Sequence, residues 1–345
     1  MAFTGNPVGL ANLGNTCYLN SLLQCLNSVG FLNLLNGSRP IKNGKHCYRN
    51  MYNALLNLLV EMQPSADRPR LIVPQNFVQT LRSNADELGR PDFAGWEQND
   101  VAELYTIIGE CVHEATRKTA NVSVNIRDNT NVTPIDKQSL EVLTTYLKDQ
   151  YSIAAKALTG VESSVITNMN GEYLSCRSEV FYTMAVPVPP NAVSVQDCLS
   201  AHGQGVQLSG DNKYAMPDTS ETPGKLVDAN QNHIVWLSPQ FLVVETRLYR
   251  FDERTGQVFK GSEKLIASPV LELETWSSNT KSIVKYLLCG VAYHRGGNSQ
   301  GGHYTAVVRN KEGQLWNCND TQVAPLARGQ GWPIGGYCFF YRKIL

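Results

Sequence analysis

No two cysteines of this chain stand at Cys-x-x-Cys spacing. Its nine cysteines are scattered at positions 17, 25, 47, 111, 176, 198, 289, 318 and 338. An odd, scattered set is not a disulfide framework, and it excludes a structural zinc site built from two such pairs. Net charge is also missing: 30 Lys and Arg balance 30 Asp and Glu. With no Lys/Arg cluster there is no concentrated positive footprint for phosphates, so nucleic acid is not expected as a partner. No apolar run approaches the roughly 20 residues of a membrane span. Met1 to Pro7 lack the basic start and apolar core of a secretory signal. The expectation is therefore an intracellular protein, cytoplasmic or nuclear, without a membrane span. Sequons at Asn36, Asn121 and Asn131 are then chance matches. There is no internal repeat and no low-complexity tract.

What is present is enough apolar sequence for a large core, 42% of 345 residues. Ser21 to Val29, Tyr48 to Met62, Gln75 to Arg82, Asp100 to Arg117 and Gln138 to Leu158 repeat apolar residues at helical intervals. Pro64, Pro69, Pro74 and Pro91 punctuate the gaps between them. From about Gly160 the period changes. Val161 to Thr167, Tyr173 to Val188, Phe241 to Tyr249, Ile283 to Tyr293, His303 to Arg309 and Tyr337 to Lys343 are β-branched or aromatic and partly alternating, as strands are. Helices first and strands second imply an α+β fold with a cleft between two lobes. Gln204 to Asn232, rich in Gly, Asp, Asn, Pro and Ser, reads as a loop or hairpin excursion. Asn121 to Asp136 reads as a mobile connection between helices. Trp96, Trp236, Phe251, Trp276, Trp316 and Phe339 to Tyr341 are expected in the core.

The chemistry concentrates at the two ends of the chain. Gly9 to Gln24 places Cys17 after a glycine-interrupted loop and at the first turn of an apolar helix. Backbone N–H groups and the dipole at such an N-terminus favour a thiolate and can later hold an oxyanion. A base must come from elsewhere. His303, alone among six histidines, follows Gly301-Gly302, which permit close backbone approach, and leads into a strand that would fix it. Each residue by itself is as well read as a buried thiol or a core histidine. Trp316-Asn317-Cys318-Asn319-Asp320 supplies a polar orienter for the imidazole.

Together these segments resemble the cysteine and histidine boxes of the ubiquitin-specific proteases, the papain-like deubiquitinases. Gln98-Asn99-Asp100-Val101-Ala102-Glu103-Leu104 is similar to that family's glutamine-x-aspartate box. Leu237 to Leu242, Arg247 to Phe251, Tyr286 to His294 and Tyr337 to Arg342 complete its pattern in order, from Gly9 nearly to Leu345. The resemblance implies one papain-like catalytic domain over 1–345: a helical thumb (1–159), β fingers with the start of a β-rich palm (160–240), and a palm bearing the histidine box (241–345). It implies a nucleophile, Cys17, a base, His303, and an oxyanion donor, Asn12. The third catalytic residue is Asn319 when counted back from Val323 and Asp320 when counted forward from Trp316; Asn319 is favoured. Asp100 and Glu103 match acidic contacts to the Arg-Leu-Arg-Gly-Gly tail of ubiquitin, although Asp100 also reads as a helix cap. Gly301, Gly302 and Tyr304 match a substrate-facing wall, and 295–301 a mobile blocking loop. Many relatives carry zinc pairs at places that here read Thr167 to Asn170 and Met216 to Thr219, so no metal and no cofactor is expected. The implied activity is hydrolysis after the C-terminal glycine of ubiquitin, with ubiquitin or ubiquitinated proteins as partners. The alternatives are a ubiquitin-binding pseudoenzyme and a protease for another ubiquitin-like modifier.

Overall fold

Helix α1 (Cys17–Val29) is buried along its whole length although it carries Asn20, Ser21, Gln24, Asn27 and Ser28. Buried polar groups need partners, and these tie the helix into the molecule at several points. Gln24 Nε2 donates to the Val8 carbonyl at 2.6 Å. The Ser28 hydroxyl lies 2.7 and 2.8 Å from the carbonyls of Cys289 and Arg309. Asn27 Oδ1 accepts from Gln63 Nε2 at 2.7 Å. The computed structural model describes residues 5–42, 44–63, 71–119, 132–148, 150–217, 220–252, 254–261, 264–278, 280–296 and 301–344. Residues 121–131 of the mobile connection expected over Asn121 to Asp136, Pro64 and Pro69, the blocking-loop positions 297–300, and the side chain of Phe251 lie outside the described residues; the end of that connection is not a loop, since Thr133 caps the helix Pro134–Leu147.

Among the described residues seven more helices follow: α2 (Phe31–Asn36), α3 (His46–Glu61), α4 (Gln75–Asn84), α5 (Val101–Thr116), α6 (Pro134–Leu147), α7 (Ile153–Leu158) and α8 (Val195–Gln204). The single helix expected over Gln138 to Leu158 is two. Lys148 ends α6 in the left-handed region at φ 30°, and Ser152 caps α7 by accepting from the Ala155 N–H at 2.9 Å. The short strand between them, Gln150–Tyr151, pairs with Lys118–Thr119. Helix α8 is an addition to the expected set, announced by a capping box of Ser194 and Asp197.

A twelve-stranded sheet forms the other half. Its path runs Gln322–Pro325, Leu315–Asn319, His303–Arg309, Thr280–Arg295, Val270–Ser277, Ala229–Leu237, Gly160–Asn168 and Tyr173–Phe181. The long strand Thr280–Arg295 also pairs with Cys338–Lys343, which carries Phe241–Arg247 and then Thr183–Pro187 beside it. The Gln204 to Asn232 excursion is therefore partly sheet: Val206–Leu208 pairs with Ala229–Leu237, and Tyr214–Ala215 with Leu226–Val227. The outer turn of the adjoining hairpin, between Gly160–Asn168 and Tyr173–Phe181, carries no cysteine pair. Asn168 Oδ1 instead accepts from the N–H groups of Asn170 and Glu172, both at 2.9 Å, and Asn168 Nδ2 donates to the Glu172 carboxylate at 2.6 Å. An Asx turn thus closes the hairpin.

One hydrophobic cluster runs from Leu10 through α1, α3 and α5 to Phe339–Tyr341, so helices and sheet share a core. Helix α1 lies close against the sheet because Gly290 has no side chain: a Cβ there would sit 2.9 Å from Cys25 Sγ and 3.1 Å from its Cα. Gly290→Ala is therefore an overpacking substitution, expected to lower stability by about 1–3 kcal/mol. Urea unfolding measures this, and an unchanged midpoint would refute the close approach.

Candidate active site

Cys17 is the first residue of α1, so its N–H has no acceptor within the helix. Helix and strand meet here. The strand His303–Arg309 packs on α1, and the N–H of Tyr304, the residue after His303, donates to Cys17 Sγ at 3.4 Å. The side chain of Gln98 donates to the same sulfur at 3.3 Å and to the Gly302 carbonyl at 3.2 Å, bridging the two boxes. His303 Nε2 lies 2.6 Å from Asn319 Oδ1. An amide oxygen only accepts, so Nε2 carries the proton and Nδ1 is left as the basic nitrogen.

Asp320 does something else. Its φ of 50° turns the chain out of the strand immediately after Asn319, so the two neighbours face different partners. One Asp320 oxygen accepts from Asn12 Nδ2 at 3.0 Å and the other from Asn20 Nδ2 at 2.8 Å, while its backbone carbonyl accepts from the Leu10 N–H at 2.9 Å. It clasps the cysteine loop to the histidine side of the sheet. Asn12 Oδ1 accepts from the N–H groups of Gly14 and Thr16 at 3.1 and 3.2 Å, which shapes the loop. The second hydrogen of its amide remains available beside that turn.

Lowering of the thiol pKa by the helix N-terminus does not prevail in the free protein. Cys17 is only 3% exposed. Burial, the largest influence, pushes the thiol up; the Asp320 charge adds to this, against hydrogen bonds from Tyr304, Gln98 and the Tyr18 N–H. Desolvation of an anion outweighs three weak donors to sulfur.

The acidic residues are also busy. Asp100 caps α5, with Oδ1 accepting from the N–H groups of Ala102 and Glu103 at 2.8 and 3.1 Å. Its Oδ2 accepts from the Tyr337 hydroxyl at 2.6 Å and the Tyr304 hydroxyl at 3.3 Å. Tyr304 is therefore a buried prop, 5% exposed, and not an open wall. Glu103 is exposed on the first turn of α5, its carboxyl pushed up by partial burial and the Asp100 charge. Gly302 is exposed, and a Cβ on it would meet His294 Nε2 at 2.4 Å and the Arg295 carbonyl at 2.6 Å, so only glycine fits. Gly301 beside it is half-buried.

Four participants escaped notice. Gln98 was visible in its box but carried no assigned contact. Asn20 is one turn into α1, at a position that reads as helix filler. Glu245 and Tyr337 form a buried group with Asp100, the Tyr337 oxygen lying 2.9 Å from Glu245 Oε1. Burial and the Asp100 charge push the Glu245 carboxyl up, against the hydrogen bond that the Tyr337 hydroxyl donates to it. Tyr337 opens the terminal strand motif, but nothing in the spacing pairs it with Glu245. Trp96, expected in the core, is 62% exposed with the Arg82 guanidinium stacked 3.4 Å from its ring centroid. Its carbonyl accepts from Asn15 Nδ2 at 3.0 Å, so it fixes the rim of the cysteine loop.

A family model described as "Ubiquitin carboxyl-terminal hydrolase" matches residues 8–341. Ubiquitin carboxyl-terminal hydrolase 2 of Homo sapiens is 26% identical over 343 residues, covering 96% of this chain and 54% of that protein. Ubiquitin carboxyl-terminal hydrolase 25 of Arabidopsis thaliana is 26% identical over 336 residues, covering 93% and 45%. The chain thus spans about half the length of these curated relatives. Among solved structures, the SAGA Ubp8/Sgf11/Sus1/Sgf73 DUB module bound to ubiquitin aldehyde contains a chain that superposes with a TM-score of 0.69 at 17% identity. The match covers 98% of this chain and 70% of the other. That likeness shows a shared α+β fold.

Because the Asp320 charge opposes thiolate formation, Asp320→Asn is expected to move the alkylation of Cys17 to lower pH. Iodoacetamide labelling against pH, read at Cys17 by peptide mass spectrometry, measures the midpoint. An unchanged or higher midpoint would refute the electrostatic influence.

Proposed function

The chain belongs to the ubiquitin carboxyl-terminal hydrolase family, and we propose that it is a thiol-dependent deubiquitinase that hydrolyses the isopeptide or peptide bond after the C-terminal glycine of ubiquitin. The observation that carries this reading is the 2.6 Å bond from His303 Nε2 to Asn319, one residue from the N–H that touches Cys17 Sγ. It leaves Nδ1 as the nitrogen that takes the thiol proton. With Cys17 pushed up by burial, the nucleophile arises by that transfer to His303 and not by free ionisation.

The thiolate attacks the glycine carbonyl. The oxyanion is met by the Cys17 N–H at the start of α1 and by the second amide hydrogen of Asn12, whose first is held by Asp320. Collapse of the tetrahedral intermediate releases the amine, which takes its proton from His303 and leaves a thioester on Cys17. His303 then draws a proton from water, and hydroxide attack frees the enzyme. Asn319 keeps the ring in one tautomer throughout, and no metal or cofactor enters these steps. Asp100, Glu103 and Glu245 gather carboxyl groups near the glycine approach at Gly301 and Gly302, a setting suited to a tail that alternates arginines with slim residues. The chains of the SAGA DUB module bound to monoubiquitin and ubiquitin aldehyde support this choice of modifier. Nine free cysteines favour the reducing interior of a cell, cytoplasm or nucleus, and no described helix is long and apolar enough to cross a membrane.

Release of a fluorophore from the C-terminus of ubiquitin tests the proposal. Cys17→Ala and His303→Ala are expected to abolish release, and Asn12→Ala to lower kcat by about 100–1,000-fold. A folded, ubiquitin-binding protein without activity would overturn it.

A further inference from the structure

We propose that Glu162, His202 and His233 form a binding site for a divalent transition cation such as Zn2+, at the base of the β-rich lobe and away from Cys17. The three side chains come from different elements: Glu162 from the strand Gly160–Asn168, His202 from the last turn of α8, and His233 from the strand Ala229–Leu237. Their donor atoms all lie within 4.8 Å of one another. His202 Nε2 is 2.6 Å from Glu162 Oε1, and His233 Nδ1 is 3.8 Å from Glu162 Oε2.

Ligand atoms at about 2.0–2.2 Å from a tetrahedral zinc stand about 3.3–3.6 Å apart, so a bound cation would part the His202–Glu162 pair, hydrogen-bonded at 2.6 Å, and draw His233 in from 3.8 Å. Two imidazoles and a carboxylate are a donor set that Zn2+ accepts, whereas Mg2+ and Ca2+ prefer oxygen alone. The backbone builds the convergence. Val235 pairs with Glu162 and His233 with Ser164, so Glu162 and His233 are diagonal neighbours on one sheet face. Helix α8 then lays the His202 ring on that of His233, with centroids 4.4 Å apart. The carbonyl end of α8 adds negative potential, which favours a cation.

The alternative is an ion pair between His202 and Glu162, and that pair has no use for a second imidazole reaching the same carboxylate. All three residues are half-buried and line a cavity of about 630 Å3 that also holds Glu272, Glu274 and Lys281. A fourth coordination position therefore opens onto solvent. This set differs in ligands and place from the cysteine pairs that the family resemblance puts at the outer turn of many relatives. Its effect is to staple α8 to two strands that run to that turn.

Titration of Co2+ into metal-stripped full-length Cys17→Ser protein, where the reactive thiol is gone, tests the site. One equivalent is expected to bind, with visible ligand-field bands, no thiolate-to-cobalt charge transfer, and displacement by Zn2+. His202→Ala and His233→Ala should each weaken binding by at least the roughly 10–100-fold that loss of a mere supporting partner costs. Glu162→Gln keeps the shape and should weaken it likewise, which covers the case where a histidine variant loses its native circular dichroism. Absence of saturable binding, a thiolate band, or affinity unchanged by these substitutions would overturn the proposal.

Discussion

Burial of α1 is the constraint on which the rest of the structure depends. A helix with polar side chains is sunk in a core most readily where they find partners, and Asn20, Gln24, Asn27 and Ser28 each find one outside the helix. Val8, Gln63, Cys289, Arg309 and Asp320 each receive a contact from it. The helix is thus a pin through the cysteine loop, the α3 end and the sheet. Its position, not flexible reach, brings Cys17 beside the strand that starts at His303.

The same burial sets the chemistry. A thiol at 3% exposure is a poor acid, since the charged form loses its water. Helix-end N–H groups alone do not reverse this. A buried thiol ionises where a specific proton acceptor is at hand and not at large, the role proposed above for His303. Asp320 illustrates the compromise. Its charge disfavours the thiolate, yet the clasp it makes with Asn12, Asn20 and Leu10 holds the loop that would receive the oxyanion. Position is held at the expense of a small electrostatic penalty.

How much was legible follows from the range of the interactions. The strand His303–Arg309 matches its expected bounds because alternation and the preceding glycines are local signals. Helices α1, α3, α4 and α5 differ from expectation by a few residues at their ends, as fraying and caps dictate. The division of α6 from α7 hung on Lys148 and Ser152, two residues inside an apolar period that masks them. Asn319 and Asp320 could not be separated by counting because the difference is a backbone turn at Asp320, which no spacing reveals. Glu245 and Tyr337 share a buried network with Asp100 only after strands from distant parts of the chain are paired.

The β-rich lobe shows how one mechanical need can be met by different chemistry. A long hairpin needs its outer turn held, because strand ends fray where few contacts cross. Here the Asn168 side chain closes the turn with hydrogen bonds to Asn170 and Glu172, each of which water contests. Such bonds are modest in net strength, so rigidity must be supplied lower down, where strands meet packed helices. The buried serines Ser139, Ser163 and Ser178, within 2.8–3.1 Å of one another, bind α6 to one face of the strands. Glu162, His202 and His233 join α8 to the strands at their base. A lobe anchored at its root from two helices can keep a tip without cysteine pairs, because stiffness is set where the lever is fixed and not where it ends.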